Sequence, residues 1–351
     1  MKIYIGRIDE KAIRKIQFVG GSTYTLSLPK KWVDELNLKT GDPVFIIKNA
    51  NKSLSILSAE ISQSKIAKSK AVISQKEVAE SIQCKVIAMY LAGYQIIEIQ
   101  SKEGKIQLKH KEAIRDLVRR NMVGTEIVES TSESIKIQIL TSLAELSVND
   151  AMKRMLILTI TMHRQVIDAL RGMDTELGEE ITHLDDEVDR FSLYILRNLT
   201  LAVDYERILH DIGLKKPSDC ISYIIVVRLI ERVADNAVSI ASGVKFLKST
   251  LEPALLQKVT KLSEESLKVF EDSIAALNKR DYALADMVAS NAHRTMQKEQ
   301  EFTDSLGESK MYTGVIKFVL ENIRRTTEYS SDIAGTVINE TVQDIVSESY
   351  S

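Results

Sequence analysis

Between Val148 and the C-terminus only two prolines occur, Pro217 and Pro253, while apolar residues recur at helical spacing almost without interruption. A stretch of that length with so few breakers commits more than half of the chain to long helices. The remaining punctuation divides it into six, with helices expected over 148–171, 174–203, 218–248, 254–278, 281–305 and 310–345. Asn149-Asp150, Gly172, Pro217-Ser218, Ser249 to Pro253, Asn278 to Asp281 and Gly307 supply the boundary signals. The helices form two sets of three, because the sequence repeats. LRGMDTELGEE, starting at Leu170, parallels LNKRDYALADM, starting at Leu277. RLIERVADNAVSIA, from Arg228, parallels RTTEYSSDIAGTVI, from Arg325, with arginine, glutamate and aspartate at the same offsets.

At about 100° per residue, Glu231 and Asp235 share one sector of their helix, flanked by Val227 and Val238 with Arg228 on the outer side. Glu328 and Asp332 occupy the same sector of the equivalent helix, and Glu321 joins them two turns earlier. In the preceding helix of the first set, THLDDEVDRF adds Asp185 and Asp189, again four residues apart. One such pair at the edge of an apolar face is commonly a solvated face, and Arg228 or Arg232 could neutralise Glu231 and Asp235 as ion pairs. Recurrence in the equivalent helix, with a third pair on a neighbour, favours a different reading. Two facing helices would present four carboxylates across one seam, and a bound cation would relieve their repulsion. All-oxygen ligation suits Mg, Mn, Fe or Ca and leaves Zn open.

The repeated R-x-x-E-R-V-A-D-x-A and R-x-x-E-x-x-x-D-I-A motifs, set in a double three-helix layout, resemble PhoU over roughly residues 148–346. PhoU is a phosphate-uptake regulator whose bundles bind multinuclear metal clusters through E(D)xxxD motifs. The resemblance implies Asp185, Asp189, Glu231 and Asp235 as ligands of one cluster and Glu328 and Asp332 as half of another. It implies divalent or trivalent metal ions, Fe, Zn, Mn or Mg, as cofactors. The second repeat departs from the pattern, since Ala292 and Met296 align with Asp185 and Asp189. The nearest acids, Glu299, Glu301 and Asp304, form no ExxxD. One good site and one weakened or remodelled site are therefore expected.

The N-terminal residues differ in charge and in period. Residues 1–58 contain ten Lys and Arg against five Asp and Glu, a local +5 on a chain whose total is −2. KIQFVGG at 15–21, TYTLSL at 23–28, PVFIIK at 43–48 and LSIL at 54–57 read as short strands, with LPKKWVDELNL as a short helix and a turn at Thr40-Gly41-Asp42. So few residues bury little alone, and an interleaved dimer is expected. AIRKIQFVGGSTYTLSLPKKWVDELNLKTGDPVFII resembles the AbrB/SpoVT swapped-hairpin domain, in which two chains exchange hairpins into one barrel and basic residues at the strand entry contact DNA. Arg14 and Lys15 match that basic pair, and Lys30 and Lys31 at the helix start are expected, from charge alone, to reach backbone phosphates. Where many DNA-binding members carry a glycine-arginine pair, this chain has Gly20-Gly21-Ser22-Thr23. A barrel that only dimerises behind a solvated basic rim is the competing reading.

Between these parts, KEVAESIQCKVIAMYLAG and KEAIRDLVRRNM read as helices, and QIIEIQS, TEIVES and SIKIQIL as strands, the last two joined at TSES. No phosphate loop, dinucleotide fingerprint or nucleophile elbow occurs, and His110 reads as a solvated histidine. Cys84 and Cys220 lack any CxxC partner and read as buried small apolar residues. Glu180 and His183 imitate the ExxH of di-iron enzymes, but no second ExxH exists, and an enzyme is not expected. No apolar run approaches a membrane span and no signal peptide opens the chain, so a cytoplasmic protein without membrane insertion is expected.

The sequence thus reads as multidomain α+β. A small dimeric swapped-hairpin β-barrel over 1–58 precedes an α/β linker domain over 59–147. An all-α pair of three-helix bundles follows over 148–351, with repeats at about 148–248 and 254–346. The two resemblances together imply a metal-binding phosphate-uptake regulator, similar to archaeal ones, whose basic head forms a homodimer and binds DNA. The alternative is a regulator that does not bind DNA and acts on a phosphate transporter or its signalling partner.

Overall fold

Short alternating runs pair locally in the basic head. Gln17–Val19 (β1) and Thr23–Thr25 (β2) form one antiparallel hairpin, Val44–Lys48 (β3) and Leu54–Ser58 (β4) another, and Lys30–Glu35 (α1) lies between them in sequence. The first hairpin turns at Gly20 and Gly21, with φ of +66° and +76°. Side chains other than glycine resist that conformation. The turn after α1 is closed by the Asp42 carboxylate, which accepts the Lys39 backbone N–H at 2.7 Å.

The computed structural model describes residues 12–35, 37–48, 54–58, 67–140, 146–204, 206–247, 249–306, 313–342 and 345–346. The expected link at 49–53, the junction after residue 58 and the helix break at Gly307 lie outside the described residues. Contacts divide the chain into two units, Met1–Lys65 and Ile66–Ser351. Among the described residues the first unit holds two separate two-stranded sheets and no closed barrel; the barrel expected from the sequence is one that two chains complete together. The reason lies in numbers of strands. Two short hairpins from one chain cannot close a sheet on itself.

In the second unit, Lys68–Ile73 (β5), Ala79–Leu91 (α2) and Ile96–Ser101 (β6) make a parallel crossover. Leu108–Asn121 (α3) then leads to Thr125–Ser130 (β7) and Ser134–Ile139 (β8), and the sheet order is β5-β6-β8-β7. Ile97 and Ile99 of β6 and Ile135 and Ile137 of β8 point to one buried face, against Ile82, Val86 and Tyr90 of α2 and Ile114 and Leu117 of α3. His110 is buried, not solvated, with Nε2 2.9 Å from the Glu77 carbonyl, because α3 presses that side chain beneath the start of α2. Cys84 is exposed and Cys220 buried, so only the second fits the expectation for both.

The helical tract forms Val148–Gly172 (α4), Thr175–Asp204 (α5), a short Glu206–Asp211 (α6), Pro217–Val244 (α7), Pro253–Lys279 (α8), Tyr282–Ser305 (α9) and Thr313–Thr341 (α10). Pro217 and Pro253 each stand at a helix start, where a missing N–H costs nothing. α7 packs against α4 and α5, α10 against α8 and α9, and the two third helices pack against each other. At their contact the Asn236 amide donates to Thr326 Oγ1 at 3.1 Å. No helix among the described residues is long and apolar enough to cross a membrane.

The α/β layer is fastened to α5. Leu193 belongs to the sheet's apolar core rather than to the bundle's. Four residues on, buried Arg197 donates to the carbonyls of Tyr90 and Gly93, the latter at 3.0 Å, with its guanidinium 4.8 Å from the Tyr90 ring centroid.

Candidate metal centre

α5 and α7 hold the first seam because each buries one apolar stripe and leaves an acidic edge beside it. Ile181 and Val188 of α5 and Val227, Val233 and Ala234 of α7 are buried. Asp185, Asp189 and Glu231 are then half-buried, while Asp235 stays exposed at the rim. Burial, followed by repulsion from Asp189, Asp235, Asp186 and Glu231, pushes the Asp185 carboxyl up to about 7. Burial, followed by Glu231 and Asp235, likewise pushes Asp189 up to about 7. Asp235 is raised as well, by the partial desolvation of its place at the rim and then by Glu231. Four acids on two facing helices thus share one field.

Glu231 is the best-held of the four. Its Oε2 accepts the Ser192 hydroxyl from α5 at 2.8 Å and Arg228 NH1 at 2.8 Å. The ion pair foreseen as the bland explanation is therefore present for Glu231. Arg232 instead lies 5.7 Å from the ring centroid of Tyr329 on α10, and its charge partly opposes the rise that burial and neighbouring glutamates impose on Asp235 and Asp332. Ser192 escaped the sequence reading, although it sits three residues after Asp189 on the same face. Among the described residues, no three histidine, cysteine, aspartate or glutamate side chains converge closely enough to cage an ion. The donor chemistry suits an oxygen-seeking cation, and the seam is open rather than closed around one. Glu180 and His183 are both exposed on α5.

The second repeat is built differently. Glu328 and Asp332 are exposed on α10, and Arg324 reaches Glu321 at 2.9 Å and Glu328 at 3.4 Å. Facing them, α9 offers buried Ala292 and half-buried Met296. One turn beyond, Glu299 is buried, with Oε1 3.2 Å from the Thr327 hydroxyl and Oε2 without a partner among the described residues. Burial pushes Glu299 up to about 8. The second seam has a guanidinium bridging two of its carboxylates, Glu321 and Glu328, where in the first Arg228 pairs with Glu231 alone.

Residues 152–244, spanning most of α4 through the end of α7 and enclosing the first seam, match the PhoU domain. This chain carries a PhoU domain. Residues 17–57 match the family described as antidote-toxin recognition MazE, bacterial antitoxin, and the head is MazE/AbrB-like. The phosphate transport system regulatory protein PhoU from Streptococcus pneumoniae is similar at 19% identity and a TM-score of 0.46, covering 58% of this chain and 99% of that one. PhoU from Pseudomonas aeruginosa is similar at 17% identity and a TM-score of 0.46, covering 56% and 96%. No curated protein matches the chain. Within the PhoU domain lie Asp185, Asp189, Glu231 and Asp235, whereas Glu328 and Asp332 fall outside its matched range.

In the MazE/AbrB-like head, Arg14 and Lys15 are exposed in the segment entering β1, and Lys30 and Lys31 are exposed at the start of α1. Lys31 lies 3.6 Å from Glu35 one turn on. The missing arginine of the glycine-arginine pair has a local counterpart in geometry, since the positive φ at Gly21 disfavours any side chain there.

Proposed function

We propose that the chain is a regulator of phosphate transport in which the PhoU domain binds metal ions and the MazE/AbrB-like head binds DNA as a homodimer. The observation that carries this reading is the PhoU domain match over the helices that bring four half-buried or rim acids to one seam. Asp185, Asp189, Glu231 and Asp235 would hold the cation, with Ser192 orienting Glu231. The ion would supply positive charge to a seam otherwise offset in part by Arg228, paired with Glu231, and by Arg232 near Asp235. Glu328 and Asp332 contribute a weaker site, because Arg324 already neutralises Glu328. Elemental analysis of the purified protein, replenished with Fe, Mn, Zn or Mg, tests this directly. Asp189→Asn with Asp235→Asn should reduce bound metal to the second-site remainder, and a parent protein that retains no metal would overturn the reading.

The head contributes the DNA contacts through Arg14, Lys15, Lys30 and Lys31 on a dimer completed by a second copy of the same hairpins. Affinity for duplex DNA should then fall steeply with salt, and Arg14→Ala with Lys15→Ala should flatten the slope by about one unit per lost phosphate contact on each chain. The glycine-only turn at Gly20 and Gly21, which offers no cation, favours a second reading. In it the head only dimerises, and the chain acts on a transporter or its signalling partner. Absence of any salt-sensitive DNA shift selects that second reading.

A further inference from the structure

A cleft of about 510 Å³ opens between α3, the edge strand β7 and α5, and its charged lining is lopsided. Lys111, Arg115 and Arg119 are spaced by four along α3, so they form one cationic stripe on the cleft wall. Arg190 of α5 closes the third side. Against these four cations the lining has a single carboxylate, Glu126 of β7. Like charges at that spacing cost a helix stability. Arg119 is offset by its place in the last turn of α3, where the helix dipole welcomes a cation, but Lys111 and Arg115 are not.

Ordinary partners do not account for the cluster. Arg115 and Arg119 are exposed and have no carboxylate partner among the described residues. Lys111 Nζ donates to the Thr131 carbonyl and keeps further N–H groups available. Arg190 NH1 reaches Glu187 at 3.3 Å, yet its Nε is buried with no hydrogen-bond partner among the described residues. A buried N–H without a protein acceptor is uncommon, and this one belongs to a side chain that lines the cleft.

We infer that this cleft binds a phosphoryl group carried by a small molecule. Planar guanidinium forks match phosphoryl oxygens in bidentate fashion, and three of the four cations are arginines. The backbone of the Gly124-Thr125 corner adds polar groups, while Val118, Met122 and Ile135 provide an apolar floor. The volume exceeds what one oxyanion needs and falls in the range of small-ligand sites, roughly 300–1,000 Å³. Free phosphate, pyrophosphate and a nucleotide all present the required chemistry. This assignment is independent of the carboxylate seam, although Asp189 and Arg190 are adjacent on α5.

Calorimetric titration of the full-length protein in EDTA at low salt, with inorganic phosphate, pyrophosphate and ATP in turn, tests the site without metal-held phosphate contributing. At least one probe should bind, and Arg115→Gln with Arg119→Gln should weaken it about tenfold or more by removing charge-assisted bonds. Arg190→Gln, made separately, should weaken it too, and unchanged thermal melts would show that each variant still folds. Tighter binding of ATP names a nucleotide as the source, and equal or tighter binding of inorganic phosphate names the free anion. Absence of heat with all three probes to about 5 mM, or binding that the folded variants leave intact, overturns the assignment.

Discussion

Glu299 is a buried carboxyl whose protonation the fold controls. Burial is the largest cause of its raised pKa, and Glu265 and Glu321 push the same way, while the Thr327 hydroxyl and Arg324 oppose them. Glu265 of α8 is itself held by Lys298 at 2.8 Å. The folded protein thus favours the neutral acid, which ionises near 8, whereas the unfolded chain ionises near the ordinary value of 4.5. Its stabilising contribution is full below about pH 4.5 and is lost as pH rises toward 8. Glu299→Gln, which stays neutral, should therefore raise the melting temperature at pH 8.5 by about 3 °C or more, with little change at pH 5. Equal shifts at both pH values would show that Glu299 does not titrate this way. Sequence reading singled out Glu299 only as an acid out of register. Its burial depends on how α8, α9 and α10 converge, which no spacing within α9 encodes.

Among the elements, α5 carries the most constraints, and its contact with α2 is where substitutions should be felt. Gly93 has φ of +90°, and a Cβ there would lie 2.5 Å from Leu201 Cδ2 on α5. Gly93→Ala should destabilise by about 2 kcal/mol or more through backbone strain and overlap together. Leu201→Ala in the same chain should restore only the overlap part, a difference that denaturant melts of the single and double variants would resolve. Arg197→Ala removes the guanidinium from both carbonyls, of which Tyr90's keeps the Gly93 N–H at 3.1 Å, and should cost about 1–3 kcal/mol, with the α/β layer melting ahead of the bundle in a two-step transition. The six long helices were legible to within a few residues because proline, glycine and the 3.6-residue period all mark the same boundaries. Two elements were not. KSKAVI, which forms β5, alternates in burial and ends on buried Ile73, but its Lys68-Ser69-Lys70 half is polar on both faces and hides the pattern, and ERILHD makes a helix of only six residues. The four acids of the first seam were legible from repetition. The Arg228–Glu231 pair, one turn apart on one helix, was legible too; Ser192 and the Arg190 cleft were not, since each depends on side chains from separate elements meeting.

At the scale of the whole molecule, the head and the remainder face opposite situations. Ile13, Phe18, Tyr24, Ile46 and Leu54 are exposed in the head, and the Phe18 and Tyr24 rings lie 5.0 Å apart, tilted by 48°, on a hairpin whose strands have no buried residue. Such a surface is a binding surface or a liability. If a second copy covers it, light scattering should give the mass of a dimer, and Phe18→Ser with Tyr24→Ser should shift it toward the monomer. The larger unit instead completes its cores internally, but in an order that matters. The strands and helices of the α/β layer leave the ribosome before α5, and domains fold in the order they emerge. Leu193, which belongs to the sheet's core, and Arg197, which satisfies two of its carbonyls, arrive only after α4 has been made. The α/β layer therefore closes its core only when α5 arrives, and a chain truncated before Leu193 lacks both that apolar plug and the Arg197 clamp on the Tyr90 and Gly93 carbonyls.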